Sequence, residues 1–175
     1  MIKIVIIGDI GSGKSYVAQN FGYPVFNADY EVAKLYQQNK NIYKKLKVKI
    51  PKHIHSFPIE KNEITNAILA NKNNLKKIIK IVHFEIRKKM NFFLNKNKNK
   101  KIIILDIPLL LENKINKKKD ILVFVQSKQS DIIKRLEKRK NFNQRLLKKF
   151  RSIQYSPDYK KKKSDFIVKN NFTKK

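Results

Sequence analysis

Apolar residues follow two rhythms along this chain. The first is a set of short, dense runs: IKIVII (2–7), VF just before Asn27, IIIL ending at Asp106, ILVFV from Ile121 and FIV from Phe166. Runs like these, bounded by polar residues or glycine, mark strands buried on both faces of a parallel sheet. The second rhythm places apolar residues three and four apart. It runs through EITNAILA (63–70), NLKKIIKIVHFEIRKKMNFFL (74–94) and the basic stretch from Lys128 to about Ile153. That spacing builds one face of a helix. GKSYVAQNFG reads as a further helix stopping near Gly22.

Strands that alternate with helices predict an α/β fold, with a central parallel sheet of about five strands and right-handed crossovers. Residues 30–100 carry few strand signals. They are expected to form a helical insertion between the second and third strands, with a loop marked by Pro51 and Pro58. The core is then 1–29, 101–134 and 164–175, with a helical lid at 135–163, all within one domain of 175 residues. KNNFTKK (169–175) reads as a frayed tail. No internal repeat is visible.

Composition narrows the chemistry. The absence of cysteine excludes a disulfide framework and a thiolate metal site. His53 and His55 are the only close histidine pair and, flanked by prolines, read as loop residues. No stretch approaches the ~20 apolar residues of a membrane span. MIKIVII is too brief for a secretion signal, so a cytoplasmic protein is expected. The net charge of +29 raises a nucleic-acid reading. Yet only five of the 42 basic residues are arginine: Arg87, Arg135, Arg139, Arg145 and Arg151. Arginine forks onto bases and phosphates, whereas lysine is a solvated point charge. The lysines are also spread along the whole chain. No specific nucleic acid is expected as a partner, although such a field should draw small anions toward a cleft.

The glycines are few, and three of the four fall within six residues, at Gly8, Gly11 and Gly13. Gly8, Gly13, Lys14 and Ser15 fit G-x-x-x-x-G-K-[ST], the phosphate-binding loop. The chain must leave a strand, wrap a phosphate and enter a helix, and glycines let backbone N–H groups converge on the anion. Lys14 would reach the β- and γ-phosphates of ATP, and the Ser15 hydroxyl would hold Mg²⁺. A guanine-reading N/T-K-x-D is absent, because the NKN stretches at Asn71, Asn95 and Asn97 lack the aspartate. A kinase of a small molecule fits the chain's size.

Two carboxylates end predicted strands. Asp29 could take a proton from an acceptor hydroxyl, or could cap the helix that follows it. Asp106 could order Mg²⁺ through water, or be a polar strand end. Arg135 and Arg139, four apart, would share a helix face, either as a phosphate clamp or as a solvated surface.

Four ordered stretches carry a resemblance: IGDIGSGKSYVAQNFGYPVFNADYEVAKLY, LDIPLLLEN, DILVFVQSKQSDIIKRLEKR and RSIQYSPDYKKKKSDFIVKNN. Together they resemble the dephospho-CoA kinase family over nearly the whole chain. The second is like D-x-P-L-L-F-E, and Arg135 and Arg139 fall on R-x-x-x-R. The resemblance implies phosphoryl transfer from ATP to the ribose 3′-hydroxyl of dephospho-CoA. Asp29 would be the base, with Lys14 and Arg139 also catalytic. Gly8, Asp9, Ile10, Gly11, Ser12 and Gly13 would form the ATP loop, continuing through Lys14, Ser15 and Tyr16. Arg135 and Arg139 would cover the phosphates, and Asn170 would lie near adenine. Asp106, Pro108, Leu109, Glu112 and His83 would meet the substrate, which the insertion receives. A monomer or weak oligomer is expected. The chain departs from the family at Asn27 (the first aspartate of D-A-D), Phe84 (the proline of His-Pro), Lys61 (an arginine) and Leu111 (the phenylalanine of P-L-L-F-E). The alternative is another phosphate-loop kinase acting on a nucleoside or nucleotide.

Overall fold

The computed structural model describes residues 1–140 and 142–173. Asn141 of the expected lid, and Lys174 and Lys175 of the expected tail, lie outside the described residues. The elements run β1 (Ile2–Gly8), α1 (Lys14–Gln19), β2 (Val25–Asn27), α2 (Ala28–Gln38), α3 (Lys40–Lys49), α4 (Lys61–Ala70), α5 (Lys72–Lys96), β3 (Ile102–Asp106), β4 (Ile121–Gln126), α6 (Gln129–Glu137), α7 (Gln144–Arg151), α8 (Pro157–Lys162) and β5 (Phe166–Lys169). They group into two compact units, 1–27 with 97–175, and 28–96.

The first unit is built on a five-stranded, wholly parallel sheet in the order β2-β3-β1-β4-β5. The runs of β1, β3 and β4 take its centre, where Val5, Ile6, Ile103, Ile104 and Val125 are all buried, while β2 and β5 are edge strands and Phe166 and Ile167 of β5 are exposed. Ile6, Ile104, Val123 and Val125 pack with Ala18 of α1, which lies against β1, β2 and β3. The registers bring the strands' C-terminal ends together: Ile6 lies opposite Asp106, and Asp106 opposite Asn27. A second cluster joins Ile132 and Leu136 of α6, Leu147 of α7, Ile10, Phe142 and Phe172.

Three expectations change in this unit. The helical stretch from Lys128 divides into α6 and α7, because past Leu136 the residues Lys138, Arg139 and Lys140 offer nothing apolar to bury. The next apolar anchor, Phe142, reaches the cluster out of helical phase. Arg139 therefore lies in the turn beyond α6 and does not share a helix face with Arg135. An unforeseen helix, α8, starts where the Ser156 hydroxyl accepts from Tyr159 N, with Pro157 in the first turn. The residues expected to fray begin inside β5, and Asn170 and Phe172 pack against the glycine loop.

The second unit is all helical. α2, α3 and α4 pack on the 25-residue α5, burying Leu35, Ile42, Leu46, Ile68, Ile78 and Val82. Asn39 caps α3 by accepting from Ile42 N at 3.0 Å. α4 starts on a capping box between Glu60 and Glu63. Burial alone would raise the Glu63 carboxyl. N–H donations from His55, Ser56 and Glu60 outweigh it and hold the group below its ordinary value. Glu63 thereby ties the proline-marked loop to α4. Lys89 on α5 pairs with Glu31 on α2 at 2.9 Å.

One buried ion pair braces the first unit. Lys160 of α8, only 2% exposed, sits 3.0 Å from Glu112 Oε1 in the turn after β3. It also donates to Gln154 Oε1 at 2.9 Å, and Glu112 Oε1 accepts from Tyr155 N at 2.8 Å. Glu112 Oε2 is buried without a partner, so all of its compensation comes through one oxygen. Lys160→Ala leaves a buried carboxylate without its counter-charge. The expected effect is a loss of about 3–5 kcal/mol of unfolding free energy, read by urea denaturation. A loss below about 1 kcal/mol, the range of an exposed pair, rejects the brace.

Candidate active site

The glycine loop leaves the end of β1 and enters α1. Two of its glycines are required by geometry. Gly8 has φ 152°, and a Cβ there would meet the Val125 carbonyl at 2.8 Å and Ser12 Oγ at 2.9 Å. Gly13 has φ 89°, and a Cβ there would run into the Asn170 amide. The loop is fastened at its middle. Ser12 is wholly buried, and its carbonyl accepts from Ser127 Oγ at 3.0 Å and Asn170 Nδ2 at 2.9 Å. Ser12 N closes a turn onto the Asp9 carbonyl at 3.2 Å.

Lys14 folds back over the loop and donates from Nζ to the Asp9 carbonyl at 2.7 Å. Its neighbour Ser15 donates to Asp106 Oδ2 at 2.6 Å. Asn27 Nδ2 reaches the same carboxylate oxygen at 2.8 Å, and lies 3.3 Å from Ser15 Oγ. Strands β2 and β3 and the head of α1 thus converge on Asp106, which is 3% exposed. Burial pushes its carboxyl above the ordinary value, against the pull of the Ser15 hydrogen bond and the Lys14 charge.

Ser15 and Asp106 supply hard oxygen donors side by side, a set that fits Mg²⁺. No cluster of three or more His, Cys, Asp or Glu able to hold a metal occurs among the described residues.

The second loop residue carries an acid. Asp9 Oδ1 accepts from Ile10 N at 2.6 Å, and Oδ2 pairs with Arg151 Nη2 of α7 at 2.8 Å. Gln129, with its amide oriented to satisfy both ends, donates to Asp9 Oδ2 at 3.3 Å and accepts from Arg151 at 2.7 and 3.1 Å. On the other side of the loop, the Arg135 guanidinium lies over the Phe172 ring, 4.6 Å from its centroid. A Cβ on Gly13 would be 3.5 Å from Arg135 Nη1, so Arg135 reaches the loop.

The expected residues divide accordingly. Gly8 to Ser15, Asp106, Arg135 and Asn170 come together around the loop. Tyr16 is exposed on α1. Pro108 and Leu109 are half-buried in the turns after β3, and Glu112 there is engaged by Lys160. Asp29 lies in the first turn of α2, two residues along the chain from Asn27. His83 lies half-buried on α5, where burial and then the Arg87 charge hold its imidazole below the ordinary value. Sequence reasoning missed Asn27, Ser127, Gln129, Arg151, Lys160 and Phe172. Two carried a signal, Asn27 as the departure from D-A-D and Arg151 as one of five arginines, but neither signal gave the residue's role.

The family model described as dephospho-CoA kinase matches residues 2–175. The chain is 34% identical over 176 residues to the dephospho-CoA kinase of Wolbachia pipientis wMel, covering 98% of this chain and 90% of the relative. It is 31% identical over 176 residues to that of the Wolbachia of Brugia malayi, with the same coverage. Among solved structures, a Thermus thermophilus protein superposes with a TM-score of 0.78 at 26% identity, covering 97% of this chain and 88% of the other. The dephospho-CoA kinase from Campylobacter jejuni, at 22% identity and a TM-score of 0.62, covers 98% of this chain and 89% of its own and shares the fold. The five-stranded parallel sheet, the glycine loop and a match across almost every residue agree: the chain belongs to the dephospho-CoA kinase family.

Proposed function

We propose that this chain transfers the γ-phosphoryl group of ATP to the ribose 3′-hydroxyl of dephospho-CoA, giving CoA and ADP. The observation that carries the reading is the 2.6 Å hydrogen bond between Ser15 and Asp106 at the head of the glycine loop. It supports the reading because a triphosphate bound by a glycine loop calls for a divalent ion, and a hydroxyl beside a carboxylate offers that ion hard oxygen donors.

In this reading, backbone N–H groups of Gly8 to Ser15 bind the phosphates, and Lys14 leaves the Asp9 carbonyl for the β- and γ-oxygens. Mg²⁺ would be held by Ser15, with Asp106 acting through water, and when bound would offset charge on the transferred group. Asp29 accepts the proton of the 3′-hydroxyl as its oxygen attacks the γ-phosphorus, and ADP leaves with the bridging oxygen. Arg135 and Arg139, from residues 135–163 acting as a lid, stabilise the charge spread over the phosphoryl oxygens. Asn170 serves the adenine side of ATP.

The acceptor side would be formed by Pro108, Leu109 and Glu112, with residues 30–100 receiving the pantetheine-bearing substrate. His83 belongs there too. Burial and the Arg87 charge favour its neutral form, so it would meet the ligand as a hydrogen-bonding imidazole.

Purified protein with ATP, Mg²⁺ and dephospho-CoA should release ADP and CoA. In a panel of acceptors, nucleosides and nucleotides should be turned over far more slowly, and a preference for one of them overturns the acceptor assignment. Asp29→Asn should lower kcat by about a hundredfold or more, the scale of a lost general base, while the KM for ATP holds. Full activity in that variant removes Asp29 from the base role.

A further inference from the structure

An aspartate inside a loop that grips phosphates poses an electrostatic problem. Asp9 is the second residue of the loop, its side chain is 11% exposed, and a bare carboxylate there would repel the ligand. The surroundings remove that repulsion. Arg151 Nη2 pairs with Oδ2 at 2.8 Å, and Gln129 spans the two groups. The other oxygen accepts from Ile10 N at 2.6 Å, and the Asp9 carbonyl receives both Lys14 Nζ and Ser12 N. One residue therefore fixes the loop's first turn through its side chain and its main chain together.

The partner comes from far along the chain. Arg151 is the last residue of α7, and α7 also packs Leu147 into the apolar cluster that holds Ile10. Loop and helix are thus joined twice, by charge at Asp9 and by apolar contact at Ile10.

We propose that Arg151 is a positioning residue of the nucleotide site. Acting through Asp9, it cancels the one negative charge built into the phosphate loop and holds the Asp9–Ile10 turn in the form that admits a polyanion. Gln129 keeps the pair aligned. This rests on reading the loop as the ATP site. It differs from that reading because Arg151 acts on the loop and not on the ligand.

The test is a cycle of variants read by calorimetric binding of a non-hydrolysable ATP analogue, alongside steady-state kinetics. Arg151→Gln is expected to weaken analogue binding and raise the KM for ATP by about tenfold, the scale of one like charge in a partly solvated cleft. Its kcat at saturating ATP should stay near that of the unaltered chain. Arg151→Lys, which keeps the charge, should bind nearly as the unaltered chain does, and it preserves the test if the glutamine variant fails to fold. Asp9→Asn combined with Arg151→Gln should recover most of the lost affinity, because the charge that needed cancelling is gone. Two results overturn the proposal: Arg151→Gln binding as tightly as the unaltered chain, or the double variant binding no better than Arg151→Gln alone. The second would place Arg151 on the ligand itself. If the unaltered chain does not bind the analogue, the ATP reading fails, and this inference falls with it.

Discussion

The first unit depends on the register between three parallel strands. β3 pairs with β1 so that Asp106 stands opposite Ile6, and with β2 so that Asp106 stands opposite Asn27. A slip of one residue would turn Asp106 to the other face and carry the buried side chains of β3 with it. Because Ile103, Ile104 and Leu105 are all buried, that slip would disrupt a core as well as a site. The hydrophobic packing that fixes the fold therefore also fixes where the carboxylate meets Ser15. This explains why ligand chemistry gathers at the C-terminal ends of parallel strands, where a turn must already form and a polar group can be added without opening the sheet.

Charge in this unit is managed locally against a strong positive background. The chain has a net charge of +29, yet four of its acids are each met by a specific donor. Arg151 meets Asp9, Ser15 and Asn27 meet Asp106, Lys160 meets Glu112, and Leu122 N meets Asp165. Engaged as they are, they shape turns and strand ends while the solvated lysines set the long-range potential.

Much of this was legible from the chain alone, for identifiable reasons. Dense apolar runs bounded by polar residues made the strands readable, although FIV proved to be an exposed edge strand rather than one buried on both faces, and a glycine-rich bend between strand and helix announced the loop. The helical stretch from Lys128 misled because apolar residues resume at Phe142, Leu146 and Leu147, and the break at Lys138, Arg139 and Lys140 carries no glycine or proline to mark it. α8 was announced by Ser156, Pro157 and Asp158, a helix start that the following lysines obscured. Arg151 and Lys160 were not legible. Each is one of 42 basic residues, and its role comes from a partner 142 residues away in one case and 48 in the other. The final residues read as a polar tail because no apolar period marks them, although Asn170 spends its amide on the Ser12 carbonyl.

Asn27 shows how little chemistry separates a support from a competitor. Its Nδ2 lies 2.8 Å from Asp106 Oδ2. A carboxylate in that place would confront Asp106 at hydrogen-bond distance, and two such groups cannot both be ionised without a cation between them. The amide donates instead, beside the Ser15 hydroxyl, to a carboxyl that burial pushes above its ordinary value. The chain carries asparagine where the resembled family has the first aspartate of D-A-D. The centre around Ser15 therefore holds one carboxyl group in place of two. The geometry around the loop then rests on these hydrogen bonds together with the Asp9–Arg151 ion pair and the packing of Ile10.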